Sequence, residues 1–449
     1  MNSVSTNAEV DGVTTRTAPP GPRARLARAA AGLYRFSGSN GLLSVVDQAT
    51  VSAVSFLTAV MIGRTSKEML GLYCLAQTFV LFARGIQAQL IFAPYVVHAQ
   101  RHQGESAREY TGSVLAQQLI LAGVAGALAL AALPVLGFFG PAELVPVVPV
   151  LAVVIPVLML REFCRAHGFC NFRMGRALAL DLTHAVLQLT ALFGLLYFGR
   201  FSIPMAYAAI GGSAAAVCVR WWFVERGTWR VRPSRIATDW RRNWSFARWA
   251  LASHLVGSAS ALVLPWLLQA VQGPGVVGLY GGCVTLAGAA SMFVVGLGNY
   301  LSPKAAQVYA KGHAPALKRL VVRAYLIFLA VIGTFCVVCF FAGETILVLV
   351  YQNRFAGGGP VLTVCALSVL AISLGLVGGN GLWAMNRPHA TFLPDLLGAT
   401  VALSAAAAWS RPYGAMGAAC ATLAGTVVAG GLTSWRLRQA LRSAPSEEG

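Results

Sequence analysis

The chain has 449 residues, of which 57% are hydrophobic and only 11% are charged. A soluble domain carries about 25% charged residues, so this composition excludes a soluble globular enzyme and a disordered chain. Its 34 basic residues outnumber the 15 acidic ones, an excess that in membrane proteins usually records topology rather than nucleic-acid binding. We therefore expect an all-α polytopic membrane protein with no nucleic-acid partner.

The first forty residues differ from the rest of the chain. Residues 1–22 are rich in Ser, Thr, Pro and Gly, which predicts disorder, and residues 23–36 carry four arginines. The basic stretch suits either a helix lying on the membrane surface or a flexible tail. The first apolar run is long and begins only at about residue 41, which disfavours a cleaved signal peptide. We predict a cytoplasmic segment over residues 1–40.

Twelve runs further along the chain are apolar and long enough to span a membrane, which takes about 20 residues. The prolines at 146, 149 and 156 predict a kink in the fourth run. The predicted limits are 41–63, 69–97, 111–137, 142–160, 177–199, 202–224, 246–271, 276–302, 320–342, 360–383, 389–409 and 414–435.

The basic residues support this arrangement. With the N-terminus in the cytoplasm, the inner segments hold 28 of the 34 basic residues, the outer segments hold five, and Arg84 lies inside a helix. This bias predicts that both termini are cytoplasmic. The outer segments are short apart from residues 343–359, which leaves little room for catalytic groups on that side, so we predict a transporter rather than an enzyme.

The twelve runs divide into two similar halves. We predict a six-helix lobe over 41–224, a basic cytoplasmic linker over 225–245, a second six-helix lobe over 246–435 and a cytoplasmic tail over 436–449. An even number of spans per half makes the repeats parallel. The matching landmarks are Gly71-Leu72-Tyr73 with Gly278-Leu279-Tyr280, Pro94 with Pro303, Arg173 and Asp181 with Arg387 and Asp395, and Arg200, Met205 and Ala208 with Arg411, Met416 and Ala419.

Three stretches carry a family resemblance: VDQATVSAVSFLTAVMIGRTSKEMLGLYCLAQTF at 46–79, VLVYQNRFAGGGPVLTVCALSVLAI at 348–372 and RPYGAMGAACATLAG at 411–425. In them the chain resembles the polysaccharide-transporter branch, which includes O-antigen and capsule flippases, of the multidrug/oligosaccharidyl-lipid/polysaccharide exporter superfamily. The resemblance implies a V-shaped pair of six-helix lobes with alternating access in a bacterial inner membrane. It further implies a polyprenyl-pyrophosphate-linked oligosaccharide as substrate for surface polysaccharide (O-antigen, capsule or exopolysaccharide) biosynthesis. Membrane lipids, and a polysaccharide polymerase or export machinery, are the other partners that this implies.

Polar groups within the predicted helices are candidate site residues, because an ionisable group at membrane depth costs about 2.5–3.5 kcal/mol on insertion scales. Asp181 and His184 share a helix face and could relay a proton or form a static pair. We predict neither a cofactor nor a metal ion. The predicted cavity residues are Arg84, Asp47, Gln48, His254 and Asn299, and the candidates for ion coupling are Asp47, Asp181, His184 and Asp395.

Arg84 is the deepest of these groups. A guanidinium does not lose its proton, so it must face water, a carboxylate or an anionic substrate. An ion pair with Asp47 is the structural alternative to substrate contact. At the symmetric positions Asp181 and Asp395, a structural role would be capping of, or pairing with, the Arg173 and Arg387 regions.

Two other functions stay open. One is a small-molecule or drug/cation antiporter of the same superfamily, whose site should be dominated by carboxylates. The other is a membrane polysaccharide polymerase, which the short outer segments disfavour. The sequence has no P-loop, so the driving force would be an ion gradient, the membrane potential or consumption of the product.

Overall fold

The structure, a computed structural model, describes residues 40–99 and 102–443, and these residues form helices and turns without a strand. The predicted N-terminal segment, apart from Asn40, and the last residues of the predicted tail lie outside this description. Short π and 3-10 turns occur at Ala88–Phe92, Ala142–Leu144, Arg226–Thr228, Gln352–Phe355 and Pro388–Thr391. The α-helices are α1 (Asn40–Gly63), α2 (Lys67–Gln87), α3 (Ala93–Ala99), α4 (Gly104–Ala131), α5 (Leu133–Phe139), α6 (Val147–Cys170), α7 (Met174–Tyr197), α8 (Ile203–Val224), α9 (Pro233–Gln272), α10 (Pro274–Gly288), α11 (Ser291–Tyr351), α12 (Gly359–Ala384) and α13 (Phe392–Ser443).

The described helices account for twelve membrane crossings. Ten are long and apolar enough individually, and Pro274–Gly288 with Phe293–Ala310, bent by 46°, forms an eleventh. The span His389–Ser443 has 55 residues, about 80 Å of helix, which exceeds a bilayer core of about 30 Å. Gly414 adopts φ 54° and ψ −129° inside it, so the span divides into two crossings. Six crossings precede residue 225 and six follow it, as predicted, while the residue limits of the two lobes stay a prediction.

The fourth crossing differs from its predicted limits. The sequence predicts 142–160, whereas α6 spans Val147–Cys170 with Pro146 as its N-cap and only Pro156 in its interior. Proline in the first turn replaces an N–H that has no partner in the helix, so Pro149 does not break it. The helix therefore starts later and continues ten residues further, carrying charged side chains that the sequence had placed in a loop.

One end of the bundle, which we call the outer end after the predicted orientation, contains the turns at residues 64–66, 273 and 352–358. Here α2 of the first half crosses α10 of the second half closely. Arg64 donates from Nε to the Val350 carbonyl oxygen at 2.7 Å, which links the α1–α2 turn to α11. These contacts hold the two halves together at this end. The opposite end, called the inner end, contains the turns at residues 171–173, 225–232 and 385–391.

The predicted linker 225–245 is structured. It includes a 3-10 turn and, from Pro233 onward, the start of α9. Arg232 and Arg235 each pair with the buried Glu109 of α4 at 2.7 Å, and Asn243 donates to Gln117 Oε1 at 3.1 Å. The first turns of α9 are thus bound to α4 of the first half. The remainder of α9 packs against α13 of the second half.

Candidate functional site

Charged side chains from four helices of the first half meet in its interior. Asp47 lies on α1, Arg84 on α2, and Asp181 on α7. The other three members, which the sequence analysis did not assign to the site, are on α6: Arg161, Glu162 and Arg165. The side chains of Asp47 and Asp181 are 0% exposed, so these carboxylates depend on protein partners for their solvation.

Arg165 joins the two buried aspartates. Its Nη2 donates to Asp47 Oδ2 at 2.6 Å, and its Nε lies 2.8 Å from Asp181 Oδ2. Nη2 also contacts Gln48 Oε1 at 3.4 Å. One guanidinium therefore forms ion pairs with a carboxylate of α1 and a carboxylate of α7, and these contacts set the distance between the two helices at the ion-pair cluster.

Glu162 joins the other two arginines. Its Oε1 lies 2.8 Å from Arg161 Nη1 and 2.8 Å from Arg84 Nη2. Arg161 also forms a short ion pair with Asp181, so the six side chains are continuous. Three guanidinium groups face three carboxylates, which makes the cluster neutral if all are ionised. Such balance is what allows charges to persist in a low-dielectric interior.

Arg84 is the accessible member of this ion-pair cluster. Its side chain is 34% exposed, against 8% for its partner Glu162. It lies about 25 Å along the helix axis from Lys67 at the outer end, and the π-helical turn Ala88–Phe92 follows it closely. The guanidinium is thus paired with a carboxylate and still partly accessible.

His254 lies across from this position. It belongs to α9, the first helix of the second half, and a Cβ added to Gly85 would come within 2.2 Å of its Nε2. Residue 85 directly follows Arg84, so His254 lies where the two halves meet beside the exposed arginine. The structure therefore brings Asp47, Gln48, Arg84 and His254 into one region, and their role in lining a substrate cavity stays a prediction.

The remaining site candidates have different outcomes. His184 is buried on α7, and its Nδ1 has no hydrogen-bond partner among the described residues. Asp395 is exposed near the start of α13 and takes no part in the ion-pair cluster. The side chain of Asn299 lies outside the described part of the chain. Among the residues that the structure describes, no group of three His, Cys, Asp or Glu could hold a metal ion.

Two ion pairs that the sequence analysis gave as structural alternatives do not form. Arg84 pairs with Glu162 and not with Asp47, whose partner is Arg165. Arg173 pairs with Glu225 at 2.8 Å and not with Asp181. The suggested symmetry between Asp181 and Asp395 also fails, because the first is buried in the cluster and the second is exposed.

The sequence prediction ends the fourth run at residue 160 because a charge at membrane depth is costly. It therefore places Arg161, Glu162 and Arg165 in the inner loop, whereas the structure places them on α6. A signal was nevertheless present, since Glu162 and Arg165 are three residues apart and share a helix face. Arg84 is the one basic residue counted inside a helix, whereas the carboxylates Asp47 and Asp181 both lie within predicted helices. Together with the spacing of Glu162 and Arg165, this imbalance could have indicated that α6 continues past residue 160 and supplies the missing arginines.

This arrangement, with two halves of six crossings and a charged cluster in one half, defines a polytopic membrane protein of transporter fold. A multidrug resistance MATE family transporter of the MOP superfamily, solved in an inward-facing conformation, superposes with a TM-score of 0.71 at 13% identity over 87% of this chain and 94% of that chain. The lipid II flippase MurJ in an inward closed conformation gives 0.67 at 12% identity over 90% and 88%. The Vibrio cholerae MATE transporter VcmN in its bent form gives 0.55 at 17% identity over 94% and 98%.

The family follows from the sequence itself. The family described as "Polysaccharide biosynthesis protein" matches residues 37–306, more than half of the chain. The chain therefore belongs to this polysaccharide biosynthesis family and has the fold of the MOP superfamily, which confirms the resemblance and the fold class expected from the sequence. No curated protein sequence matches the chain significantly.

Proposed function

We propose that this protein flips a lipid-linked oligosaccharide, carried on polyprenyl pyrophosphate, across a bacterial inner membrane by alternating access between its two halves. The single observation that carries the proposal is Arg84, a partly exposed guanidinium at membrane depth beside the junction of the halves. An arginine fork suits pyrophosphate oxygens. The family match points to polysaccharide biosynthesis, and one structural neighbour is named as a lipid flippase.

The charges of the cluster distinguish this substrate from a cation. Asp47, Glu162 and Asp181 are each paired with an arginine, so none presents an unneutralised carboxylate to a positively charged drug. The accessible edge of the cluster belongs to Arg84. An anionic head group would add to this edge, whereas a cation would be repelled from it. The drug antiporter is therefore the weaker proposal, despite the fold shared with multidrug transporters.

Asp47, Asp181 and His184 stay candidates for coupling to an ion. Arg165 contacts both carboxylates, and Asp47 Oδ1 is buried without a hydrogen-bond partner among the described residues. Neutralising one aspartate with a proton or cation would leave Arg165 satisfied by the other. The contact between α1 and α6 could then loosen without stranding a buried charge. Asp395 lies apart from this cluster and is not included.

Flipping can be tested in proteoliposomes that contain a fluorescent lipid-linked oligosaccharide, with a membrane-impermeant quencher reporting which leaflet holds the lipid. The full chain should equilibrate the probe between leaflets, and Arg84→Ala should abolish most of this exchange. Arg411→Ala, an exposed arginine at the outer end, is the matched control and should retain it. Efflux of a cationic dye with no lipid exchange would favour the antiporter, and glycan polymerisation without exchange would favour the polymerase.

A further inference from the structure

An apolar groove lies between the end of α7 and the start of α8, at the outer end. Its volume is about 790 Å³, and Arg200 is the one charged side chain that lines it. Both helices are membrane spans, and Phe198 and Met205 are 73% and 42% exposed. The groove walls therefore reach the lipid-facing surface of the bundle. The other lining residues are Ala191, Gly194, Leu195, Ala208 and Ala209.

The turn between the helices fixes the backbone of Arg200 at the edge of this groove. Gly199 has φ 65°, the left-handed conformation that glycine adopts most readily. The Arg200 amide donates to the Leu195 carbonyl oxygen at 3.0 Å, and the Gly199 amide donates to Leu196 at 3.2 Å. This is a Schellman motif, in which the backbone of the residue after the glycine is tied to the last turn of the helix. The arginine is thus anchored rather than carried on a loose loop.

No acidic residue occurs between Asp181 and Glu225. Arg200 is exposed, and the described residues contain no carboxylate within ion-pair distance of it. A cation fixed at the rim of an apolar groove, where a membrane span ends, meets the phosphate level of the bilayer. The groove itself offers no polar contact besides this guanidinium. The matching ligand therefore has an anionic head and a hydrocarbon chain.

The second half of the protein differs at the equivalent place. Arg411, Met416 and Ala419 occupy positions equivalent to Arg200, Met205 and Ala208. Yet Ala419 is fully buried, whereas Ala208 is exposed. Gln272 of α9 donates to the Arg411 carbonyl oxygen at 2.7 Å and to Ser410 at 3.2 Å. Neighbouring helices therefore cover this corner in the second half and leave it open in the first.

We propose that the α7–α8 groove binds an anionic glycerophospholipid from the leaflet at the outer end, with an acyl chain in the groove and the phosphate on Arg200. This site is separate from the ion-pair cluster and does not depend on the transported substrate. A bound phospholipid would fill the groove in the half where protein does not, and so would support the packing of α7 against α8.

Native mass spectrometry of the delipidated full chain in detergent, titrated with phosphatidylglycerol or phosphatidylcholine, tests the proposal. The first phosphatidylglycerol should bind about tenfold more tightly than phosphatidylcholine, because its head group keeps a net negative charge whereas the choline cation offsets the phosphate of phosphatidylcholine. Arg200→Gln should remove this preference. Arg411→Gln is the control, because it removes an equivalent charge on the same side and should leave the preference intact.

A second variant fills the groove and keeps the charge. A Cβ at Gly194 meets nothing within 4 Å, so Gly194→Leu should fit and displace the acyl chain, weakening the first binding event for both lipids. Gly123→Leu, at another open helical glycine, should bind as the unaltered chain does. Equal losses in Arg200→Gln and Arg411→Gln would overturn the proposal. So would unchanged binding in Gly194→Leu, or tighter binding of a polyprenyl diphosphate that displaces phosphatidylglycerol.

Discussion

Gly71 of α2 and Gly278 of α10 cross backbone to backbone at the outer end. A Cβ on Gly71 would lie 1.9 Å from the Pro274 carbonyl oxygen, and a Cβ on Gly278 would lie 1.8 Å from the Lys67 carbonyl oxygen. Each glycine thus faces the residue four positions before the other. This is the reciprocal contact that a pseudo-twofold axis creates, and it joins the two Gly-Leu-Tyr landmarks of the duplicated sequence. Because glycine has no Cβ, these two helices can approach so closely.

Gly71→Val should open the outer end. The added side chain would overlap backbone atoms that cannot rotate away, so the halves must separate there. A spin-label pair at Glu143 and Gln352, both exposed at this end, should show a longer distance than in the unaltered chain. Gly212→Val in α8 is the control, because a Cβ there meets nothing within 4 Å. An unchanged distance in Gly71→Val would mean that this crossing does not hold the end closed.

Replacing Arg84 should give a graded loss of flipping. Arg84→Lys keeps the charge but loses the fork that grips two oxygens, so we expect partial activity, and Arg84→Ala should be strongly impaired. Both should still insert in the membrane. Exchange of a fluorescent lipid-linked oligosaccharide in proteoliposomes measures the effect.

The double variant Arg84→Ala with Glu162→Gln separates substrate contact from scaffolding. In Arg84→Ala, Glu162 keeps Arg161 at 2.8 Å, but the cluster then has three carboxylates and only two guanidinium groups. Glu162→Gln removes the extra negative charge, so the double change should restore any thermal stability that the single change loses. Flipping should stay low if Arg84 binds substrate. Recovery of flipping in the double variant would instead assign Arg84 to the scaffold.

Arg165 should matter more for stability than either aspartate. Arg165→Met leaves Asp47 without its guanidinium partner, and removing one partner of a buried ion pair costs on the order of 3–5 kcal/mol. We expect a lower melting temperature in detergent and lower abundance. Asp47→Asn leaves Arg165 with Asp181, so its abundance should hold while flipping falls. Equal melting temperatures for the two variants would contradict this assignment.

Glu344 caps α12 from the preceding helix. Its carboxylate accepts from the Gly357 amide at 2.6 Å and from the Gly359 amide at 2.9 Å, where a helix N-terminus favours negative charge. Glu344→Ala should lower the free energy of unfolding by about 1 kcal/mol, visible as a lower melting temperature. Glu143→Ala, an exposed glutamate at the same end, should leave it unchanged. Equal effects of the two substitutions would rule out a capping role.

Reporter fusions test the predicted orientation. Fusions after residues 230 and 312 should report the cytoplasm, and fusions after 140 and 356 should report the outside, because the basic residues concentrate on the segments predicted inside. An outside signal at residue 230 would contradict the arrangement of two six-helix halves.

The sequence by itself determined the fold class, the twelve crossings and the family. The fold class and the crossings follow from the length of apolar runs and the bias of basic residues, which are properties that each segment carries alone. The family came from the resemblance carried by residues 46–79, 348–372 and 411–425. The duplication was also readable, because Gly71-Leu72-Tyr73 and Gly278-Leu279-Tyr280 keep their spacing. Asp47 and Arg84 could be selected as unusual simply from their depth.

Only the tertiary structure decided which charges meet. Arg165 reaches Asp47 across 118 positions of sequence, and a pairing over that separation depends on how helices pack rather than on any local pattern. The crossing of Gly71 with Gly278 and the open groove under Arg200 were hidden for the same reason. Lipid tails solvate every apolar helix surface equally well, so the hydrophobic effect does not select which helices pack together. Close packing and the pairing of buried charges select the partners instead, and both exist only once the helices have assembled.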